Sequence, residues 1–202
     1  MCPQPEESSF RLTQAQAAPL NEFSPQERRL LLQLAHQAIV AGLEQREISL
    51  TAPTAHLAEP RGAFTTLYYR GDLRGCVGYA FPVASLYRTV AQSAQGAAFD
   101  DSRFAPVTRD QVSELKVSLS ILSLPLPIRP EDVQIGRHGL LVQLGTSRGL
   151  LLPQVPVEHR WDRITFLEQT CRKAGLPSDA WQNGAQLEAF TAEVFGDRDR
   201  ED

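Results

Sequence analysis

A predicted β-hairpin within residues 63–79 constrains the fold of this chain more than any other segment. Residues 63–70 are rich in β-branched and aromatic side chains, and residues 73–79 continue this pattern after a glycine–aspartate turn. Two short strands joined by so tight a turn pair in an antiparallel sheet. The sequence therefore predicts a hairpin whose second arm carries the segment LRGCVG, residues 73–78.

Helices and further strands surround this hairpin without the regular alternation of a parallel sheet. Ser24 and Glu27 predict a capping box at the start of the first helix, with Pro25 at its first position. Further helices are predicted at residues 85–98 and 161–174, with a short one after Thr108, and further strands at residues 117–122, 140–144, 150–152 and 190–195. This order predicts an α+β fold with a largely antiparallel sheet flanked by helices.

The size and charge of the chain exclude several classes of protein. Its 202 residues suit one domain, and a hydrophobic content of 42% suits a chain that buries a core. The 20 basic and 24 acidic residues give a net charge of -4, which argues against nucleic-acid binding. The chain contains no apolar run of the roughly 18 residues that a membrane span needs, so we expect no membrane association.

Composition also predicts the limits of the folded part and its compartment. Residues 1–20 and residues 197–202 are expected to be disordered tails, which leaves residues 21–196 as the domain. Cys2, Cys76 and Cys171 are an odd number at wide spacing, which gives neither a disulfide framework nor a zinc site. The reducing cytoplasm is therefore the expected location.

The LRGCVG segment brings a cation and a thiol together. Residues two apart on a strand point to the same face, so Arg74 and Cys76 are expected to project together. A neighbouring guanidinium favours the thiolate, and Gly75 and Gly78 let a ligand come close. Cys76 is thus a candidate catalytic nucleophile, and Arg74, Gly75 and Gly78 are candidate ligand-binding residues. The alternative is a buried cysteine that fills a sheet position, with Arg74 paired to a nearby carboxylate.

Three other segments supply candidate site residues. His159 is a candidate catalytic base beside Glu158, a candidate ligand contact, although the pair also suits the first turn of a helix. Arg103 offers a forked donor to an anionic or hydroxylated ligand, unless its segment is only a structural turn. Gln154 is a polar residue at the predicted end of an apolar strand, where it can contact a ligand. The lone Glu–His pair lacks metal-site spacing, so no metal ligand is predicted.

Several motifs resemble, in order, those of the AMMECR-type domain family. They are LRGCVG at residues 73–78, AFDDSRF at 98–104, VSLSIL at 117–122, GLLLPQV at 149–155 and EHRWD at 158–162. The resemblance spans residues 25–195 and is to the bacterial and archaeal branch of the family. Val77 departs from the family pattern, where isoleucine is expected.

The resemblance implies a fold and a set of partners rather than a reaction. It implies an α+β domain with a larger and a smaller subdomain around the sheet that carries LRGCVG. Bacterial members are described as component A of a three-part system, alongside a Memo-type protein and a radical S-adenosylmethionine enzyme. No cofactor follows from the resemblance, and the cofactor is left open.

Three functions are compatible with these residues. The first is a component of a multi-protein enzyme system, with a small-molecule cleft around Cys76 and Arg74, near Arg103 and the segment of Glu158 and His159. The second is a non-catalytic interaction or scaffold module that a partner meets at the sheet edge. The third and weakest is nucleic-acid binding. Whether the chain is an enzyme stays open. The first function predicts that the Cys76 sulfur is accessible to solvent, and the second predicts that it is buried in the core.

Overall fold

The structure, a computed structural model, describes residues 22–197. Its helices are α1 (Pro25–Leu43), α2 (Ala55–Ala58), α3 (Leu86–Phe99), α4 (Gln154–Glu158) and α5 (Arg163–Lys173). Its strands are β1 (Ala63–Tyr69), β2 (Asp72–Tyr79), β3 (Leu115–Leu122), β4 (Leu126–Pro127), β5 (Gly139–Leu144), β6 (Ser147–Leu151), β7 (Gln186–Phe190) and β8 (Ala192–Gly196). Two 3₁₀ helices cover Arg109–Glu114 and Pro130–Asp132. The predicted α+β class is confirmed, with two antiparallel four-stranded sheets.

The first sheet has the strand order β2–β1–β3–β8, and its neighbouring strands are all antiparallel. The predicted hairpin is confirmed as β1 and β2, with β2 at the edge of the sheet. Its turn consists of Arg70 and Gly71, whose φ angles of 52° and 95° match the twist of a two-residue hairpin. Asp72 therefore begins β2 instead of lying in the turn.

Helices α1 and α3 cover one face of the first sheet. Alternate residues of β1 and β3 are buried in a core that they share with both helices. The predicted capping box begins α1, because the Glu27 N–H donates to Ser24 Oγ (3.3 Å) and the Ser24 N–H donates to Glu27 Oε2 (3.0 Å). Ser85 caps α3 through the Arg88 N–H. The opposite face, called the open face below, presents the half-exposed residues of β1 and β3.

The second sheet has the strand order β4–β7–β5–β6 and packs against α5. Phe166 and Leu167 of α5 are buried with Leu140 of β5 in a smaller core. The side chain of Asp162 accepts the Thr165 N–H (2.8 Å) and so caps α5, which begins later than the sequence predicted.

Three further boundaries differ from the sequence prediction. Strands β5 and β6 are joined by Gly145 and Thr146 alone, because the positive φ of Gly145 (59°) permits a turn shorter than the predicted loop. The last predicted strand is broken at Thr191, so that β7 pairs in the second sheet and β8 pairs in the first. Gln154 begins the short helix α4 and does not end a strand.

The last described residue is held by the first sheet. Asp197 accepts a hydrogen bond from the Val117 N–H (2.8 Å) and pairs with His36 Nε2 (2.7 Å). The rest of the predicted tails, residues 1–20 and 198–202, lies outside the described residues. Between residues 22 and 197, none of the helices combines the length and apolar character that crossing a membrane requires.

Candidate functional site

Cys76 lies on the open face of the first sheet. It is paired across the hairpin with Thr66, whose hydroxyl donates a hydrogen bond to Cys76 Sγ over 3.3 Å. Both residues are half-buried. Their neighbours Gly75 and Val77 face the other way, toward Ala97 and the rest of α3. The Cys76 side chain therefore lies on the face of β2 that points away from α3.

A β-bulge at Arg74 breaks the alternation that the sequence suggested for β2. Leu67 of β1 pairs with Gly75, and the next residue of β1 pairs with Leu73. Arg74 is therefore an extra residue in β2, without a partner of its own in β1. As a result, Leu73 and Cys76 share a face although they are three residues apart. The shared face of Arg74 and Cys76 stays a prediction, because Arg74 is the residue that the register leaves without a partner in β1.

The guanidinium of Arg74 reaches the segment that precedes β3. Its Nη2 donates to the carbonyl oxygen of Pro106 (3.1 Å) and to Oε1 of Gln111 (3.2 Å). Neither contact is with a carboxylate. Its Nη1 is buried and has no hydrogen-bond partner among residues 22–197. Arg74 thus ties β2 to the 3₁₀ helix that carries Gln111.

Asp101 and Arg103 occupy the outer edge of β2 at Cys76. The Cys76 N–H donates to Asp101 Oδ2 (2.8 Å), and Arg103 Nη2 donates to the Cys76 carbonyl oxygen (3.4 Å). Main-chain groups on an edge strand lack a neighbouring strand to pair with. Asp101 and Arg103 therefore take the place of a neighbouring strand at this one residue.

A two-point salt bridge joins Asp101 to Arg103. Arg103 Nε donates to Oδ1 (2.9 Å) and Nη2 donates to Oδ2 (2.7 Å), while only 6% of the Asp101 side chain is exposed. The Arg103 guanidinium and the Cys76 N–H hold the pKa of Asp101 well below its usual range. Asp101 in turn raises the pKa of Arg103, and the nearby Cys76 thiol adds to this rise. Arg103 is thus a cation held at the main chain of Cys76.

The two glycines of the segment make close packing possible. A Cβ on Gly75 would lie 2.0 Å from the carbonyl oxygen of Ala97, so the glycine lets α3 approach β2. A Cβ on Gly78 would lie 2.4 Å from the ring of Phe64 on β1. These contacts explain both glycines structurally, and a ligand contact for either stays a prediction.

Gln154, Glu158 and His159 lie together on α4 and at its end. All three are exposed, and the ring of His159 stacks on Trp161 with 4.7 Å between centroids. His159 ends α4, and the residue of this segment that lies at a helix N-terminus is Asp162, which caps α5. Within residues 22–197, the hydrogen bonds at Cys76 come from other residues, and no contact joins His159 to the thiol.

Other titratable side chains have structural partners. His56 Nδ1 lies 2.9 Å from Glu27 Oε1, and His138 Nδ1 accepts the Gln134 N–H (3.1 Å). In the part of the chain that the structure describes, no group of three or more His, Cys, Asp or Glu side chains is placed to hold a metal ion.

Thr66 and Asp101 belong to the site, although the sequence did not single them out in these roles. Thr66 can be found by counting the register back from the hairpin turn, because residues opposite each other share a face. Asp101 reaches Cys76 because the loop after α3 returns to the sheet edge, and no local pattern encodes that return.

Two four-stranded antiparallel sheets and a half-exposed thiol at a sheet edge define an α+β protein with a candidate thiol site. The sequence model of the AMMECR1 family matches residues 32–195. The chain belongs to the AMMECR1 family.

Relatives in archaea and bacteria are similar to this chain over most of their length. A protein of Methanopyrus kandleri is 41% identical over 189 residues, which cover 87% of this chain and 91% of the relative. A protein of Aquifex aeolicus is 36% identical over 181 residues, which cover 85% of this chain and 93% of the relative. The crystal structure of an uncharacterized protein from Pyrococcus horikoshii is similar, with a TM-score of 0.66 and 39% identity over 83% of this chain and 89% of that one. The names of these three proteins state no activity.

Proposed function

We propose that this chain is a small-molecule-binding component of a multi-protein enzyme system, with its ligand site on the open face at Cys76. The observation that carries the proposal is the half-buried Cys76, whose thiol accepts a hydrogen bond from Thr66 and whose carbonyl oxygen accepts one from the cation Arg103. A sulfur surrounded by aliphatic side chains would have favoured a purely structural cysteine. A thiol with a donor and a cation at its side is suited to nucleophilic attack on a bound molecule.

The guanidinium of Arg103 indicates what kind of molecule binds. Asp101 occupies Nε and Nη2, while 57% of the Arg103 side chain is exposed, so its remaining donors are accessible. Guanidinium groups bind carboxylates, phosphates and other oxygen-rich groups. The unused Nη1 of Arg74 is a second donor on the same strand as Cys76. We therefore expect a ligand with an anionic or hydroxylated group.

The residues of α4 are proposed to act in the same system from the second sheet. His159 is exposed and stacked on Trp161, so it can exchange a proton with a bound molecule or with a partner protein. Glu158 and Gln154 are exposed beside it and offer oxygen and amide groups for contact. Substitution of His159 by Gln is expected to lower turnover of the assembled system while leaving the reactivity of Cys76 unchanged.

The proposed partners follow from the resemblance to component A of the three-part bacterial system. A Memo-type protein and a radical S-adenosylmethionine enzyme are proposed to carry the redox chemistry, while this chain presents the substrate. The free thiols of Cys76 and Cys171 suit the reducing cytoplasm, where such a system is expected to work.

A non-catalytic interaction module is the second candidate function. A partner strand could extend the first sheet at β2, which is an edge strand. At Cys76, however, Asp101 and Arg103 already engage both main-chain groups, which opposes strand addition at this residue. This observation favours approach to the thiol from the open face over docking along the edge.

Reconstitution tests the proposed function. The chain is combined with the Memo-type protein and the radical enzyme of the same organism, and consumption of S-adenosylmethionine is followed. Because a serine hydroxyl is a far weaker nucleophile than a thiolate, Cys76→Ser is expected to lower turnover by at least about tenfold. The same substitution at Cys2 is the matched control and should leave turnover unchanged. Full turnover by a folded Cys76→Ser chain contradicts the proposed role.

A further inference from the structure

Asp101 accepts an unusual set of hydrogen bonds. Its carboxylate accepts the Cys76 N–H (2.8 Å), Arg103 Nε (2.9 Å) and Arg103 Nη2 (2.7 Å), and also the Arg103 N–H (3.2 Å). The Asp101 carboxylate is therefore bonded to the main chain of Cys76 and to both the main chain and the guanidinium of Arg103.

The turn that contains Asp101 is closed by main-chain hydrogen bonds as well as by the bond from the Arg103 N–H to the carboxylate. Main-chain hydrogen bonds close the turn and the following loop, from the Phe104 N–H to the Asp101 carbonyl (3.0 Å) and from the Val107 N–H to the Ala98 carbonyl (2.8 Å). Of the four bonds that the Asp101 carboxylate accepts, the one from the Arg103 N–H belongs to the turn, and the other three join the Cys76 N–H and the Arg103 guanidinium.

Arg103 needs a fixed anchor if it is to act on the thiol. Its side chain is long and 57% exposed, and such a side chain samples many rotamers unless its guanidinium is bound at two points. Asp101 provides two such points and is itself held by β2, with only 6% of its side chain exposed.

We infer that Asp101 is a positioning residue, which holds the Arg103 guanidinium beside the Cys76 thiol. This inference rests on the proposed function, in which Cys76 is the reactive group. Asp101 acts through Arg103 and does not itself touch a ligand. Without Arg103, the Asp101 carboxylate would be left as an unpaired charge at the main chain of Cys76.

A double-mutant cycle on Cys76 alkylation tests the inference. Iodoacetamide labelling of Cys76 near neutral pH is followed by mass spectrometry in a Cys2→Ser background. Arg103→Gln is expected to slow labelling by about fivefold to tenfold when Asp101 is present. In the Asp101→Asn background the same change is expected to slow labelling by less than about twofold, because the guanidinium is no longer anchored there.

Asp100 supplies the matched control for this cycle. It is the exposed carboxylate next to Asp101, so Asp100→Asn removes the same charge and leaves the salt bridge between Asp101 and Arg103 in place. Arg103→Gln should keep its full effect in the Asp100→Asn background. The inference is overturned if Arg103→Gln slows labelling equally with and without Asp101, or if it has no effect in the unmodified chain. It is also overturned if Asp100→Asn weakens the effect of Arg103→Gln as much as Asp101→Asn does.

A measurement without any change at Asp101 keeps the inference testable if Asp101→Asn fails to fold. Hydrogen exchange of the Cys76 amide in the unmodified chain should be slow for an edge strand, because Asp101 accepts this N–H. Exchange at the rate of an unprotected peptide overturns the inference. Neither experiment needs a ligand, so a cycle without coupling leaves the proposed function standing. Full turnover by Cys76→Ser, in contrast, removes the proposed function and leaves the cycle intact.

Discussion

The hydroxyl of Thr66 donates a hydrogen bond to Cys76 Sγ across the first hairpin, over 3.3 Å. The two residues are register partners on the open face, while helix α3 packs on the other side of β2. The sulfur thus has a donor from the neighbouring strand, and Cys76 as a residue is half-buried. This pairing makes the reactivity of Cys76 the most informative property to measure.

Removal of the Thr66 hydroxyl should make Cys76 less reactive. A hydrogen bond to sulfur favours the thiolate over the thiol, so Thr66→Val is expected to slow alkylation of Cys76 by about twofold to fivefold. The unfolding free energy should change by less than about 1 kcal/mol, since the bond is half-exposed. Labelling followed by mass spectrometry checks the rate, and urea denaturation checks the stability. Unchanged or faster labelling contradicts the role of this hydrogen bond.

Cys76 and Cys171 should differ sharply in reactivity. Cys171 is fully buried in the core under α5, and burial raises the pKa of its thiol. In the native protein Cys76 is expected to be alkylated while Cys171 is labelled only through unfolding, which makes it at least about a hundredfold slower. Peptide mapping after a timed pulse measures both rates in one sample. Comparable rates would show that the second sheet opens easily or that Cys76 is covered.

Gly75 should not tolerate a side chain. A Cβ there would lie 2.0 Å from the Ala97 carbonyl oxygen, so Gly75→Ala must push α3 away from β2. We expect a loss of at least about 2 kcal/mol in unfolding free energy. Gly145→Ala is the comparison, because nothing lies near its Cβ and only its positive φ opposes alanine, at a cost of about 1 kcal/mol. Denaturant titration of both variants checks the order, and equal losses would contradict a packing role for Gly75.

The unfolding free energy of the protein should depend on pH through His56, which pairs with Glu27 in the first turn of α1. Burial opposes the charge on His56, but its hydrogen bonds with Glu27 and Glu22 outweigh this, and the pKa of His56 is raised. A raised pKa means that the stabilisation is fully present below the unfolded value of about 6.5 and is lost as pH rises through the folded value. His56→Gln should therefore cost about 0.5 to 1 kcal/mol near pH 6 and less near pH 9.

Thermal unfolding of the unmodified chain and His56→Gln at both pH values measures this difference. Glu27 has a pKa below its usual value, so the carboxylate partner stays charged near pH 6. The same cost at both pH values, or a larger cost at the higher one, would contradict the pairing of His56 with the two glutamates.

Elements that depend on neighbouring residues were predictable from the sequence. The capping box of Ser24 and Glu27 and the hairpin of β1 and β2 are set by residues a few positions apart, and both are present. The break at Thr191 was not predictable in the same way, because the sequence predicted one strand at residues 190–195, whereas Phe190 ends β7 in the second sheet and Ala192 begins β8 in the first.

The candidate site shows where local patterns stop being informative. The position of Cys76 on the hairpin follows from the turn, but the bulge at Arg74 depends on how β2 fits against β1. A bulge shifts every side chain before it, so strict alternation does not carry across it. The cation whose guanidinium contacts Cys76 is Arg103, which lies far along the chain and reaches the carbonyl oxygen of Cys76 while it is paired with Asp101.

Ligand protection of Cys76 tests the central claim most directly. The labelling rate of Cys76 is measured in the unmodified chain with and without a low-molecular-mass ultrafiltrate of the source cells, and a free cysteine peptide in the same tube serves as the control. A small-molecule site on the open face predicts slower labelling of Cys76 and unchanged labelling of the peptide. Equal labelling of Cys76 with and without the ultrafiltrate, in a folded chain, would contradict a ligand site at this thiol.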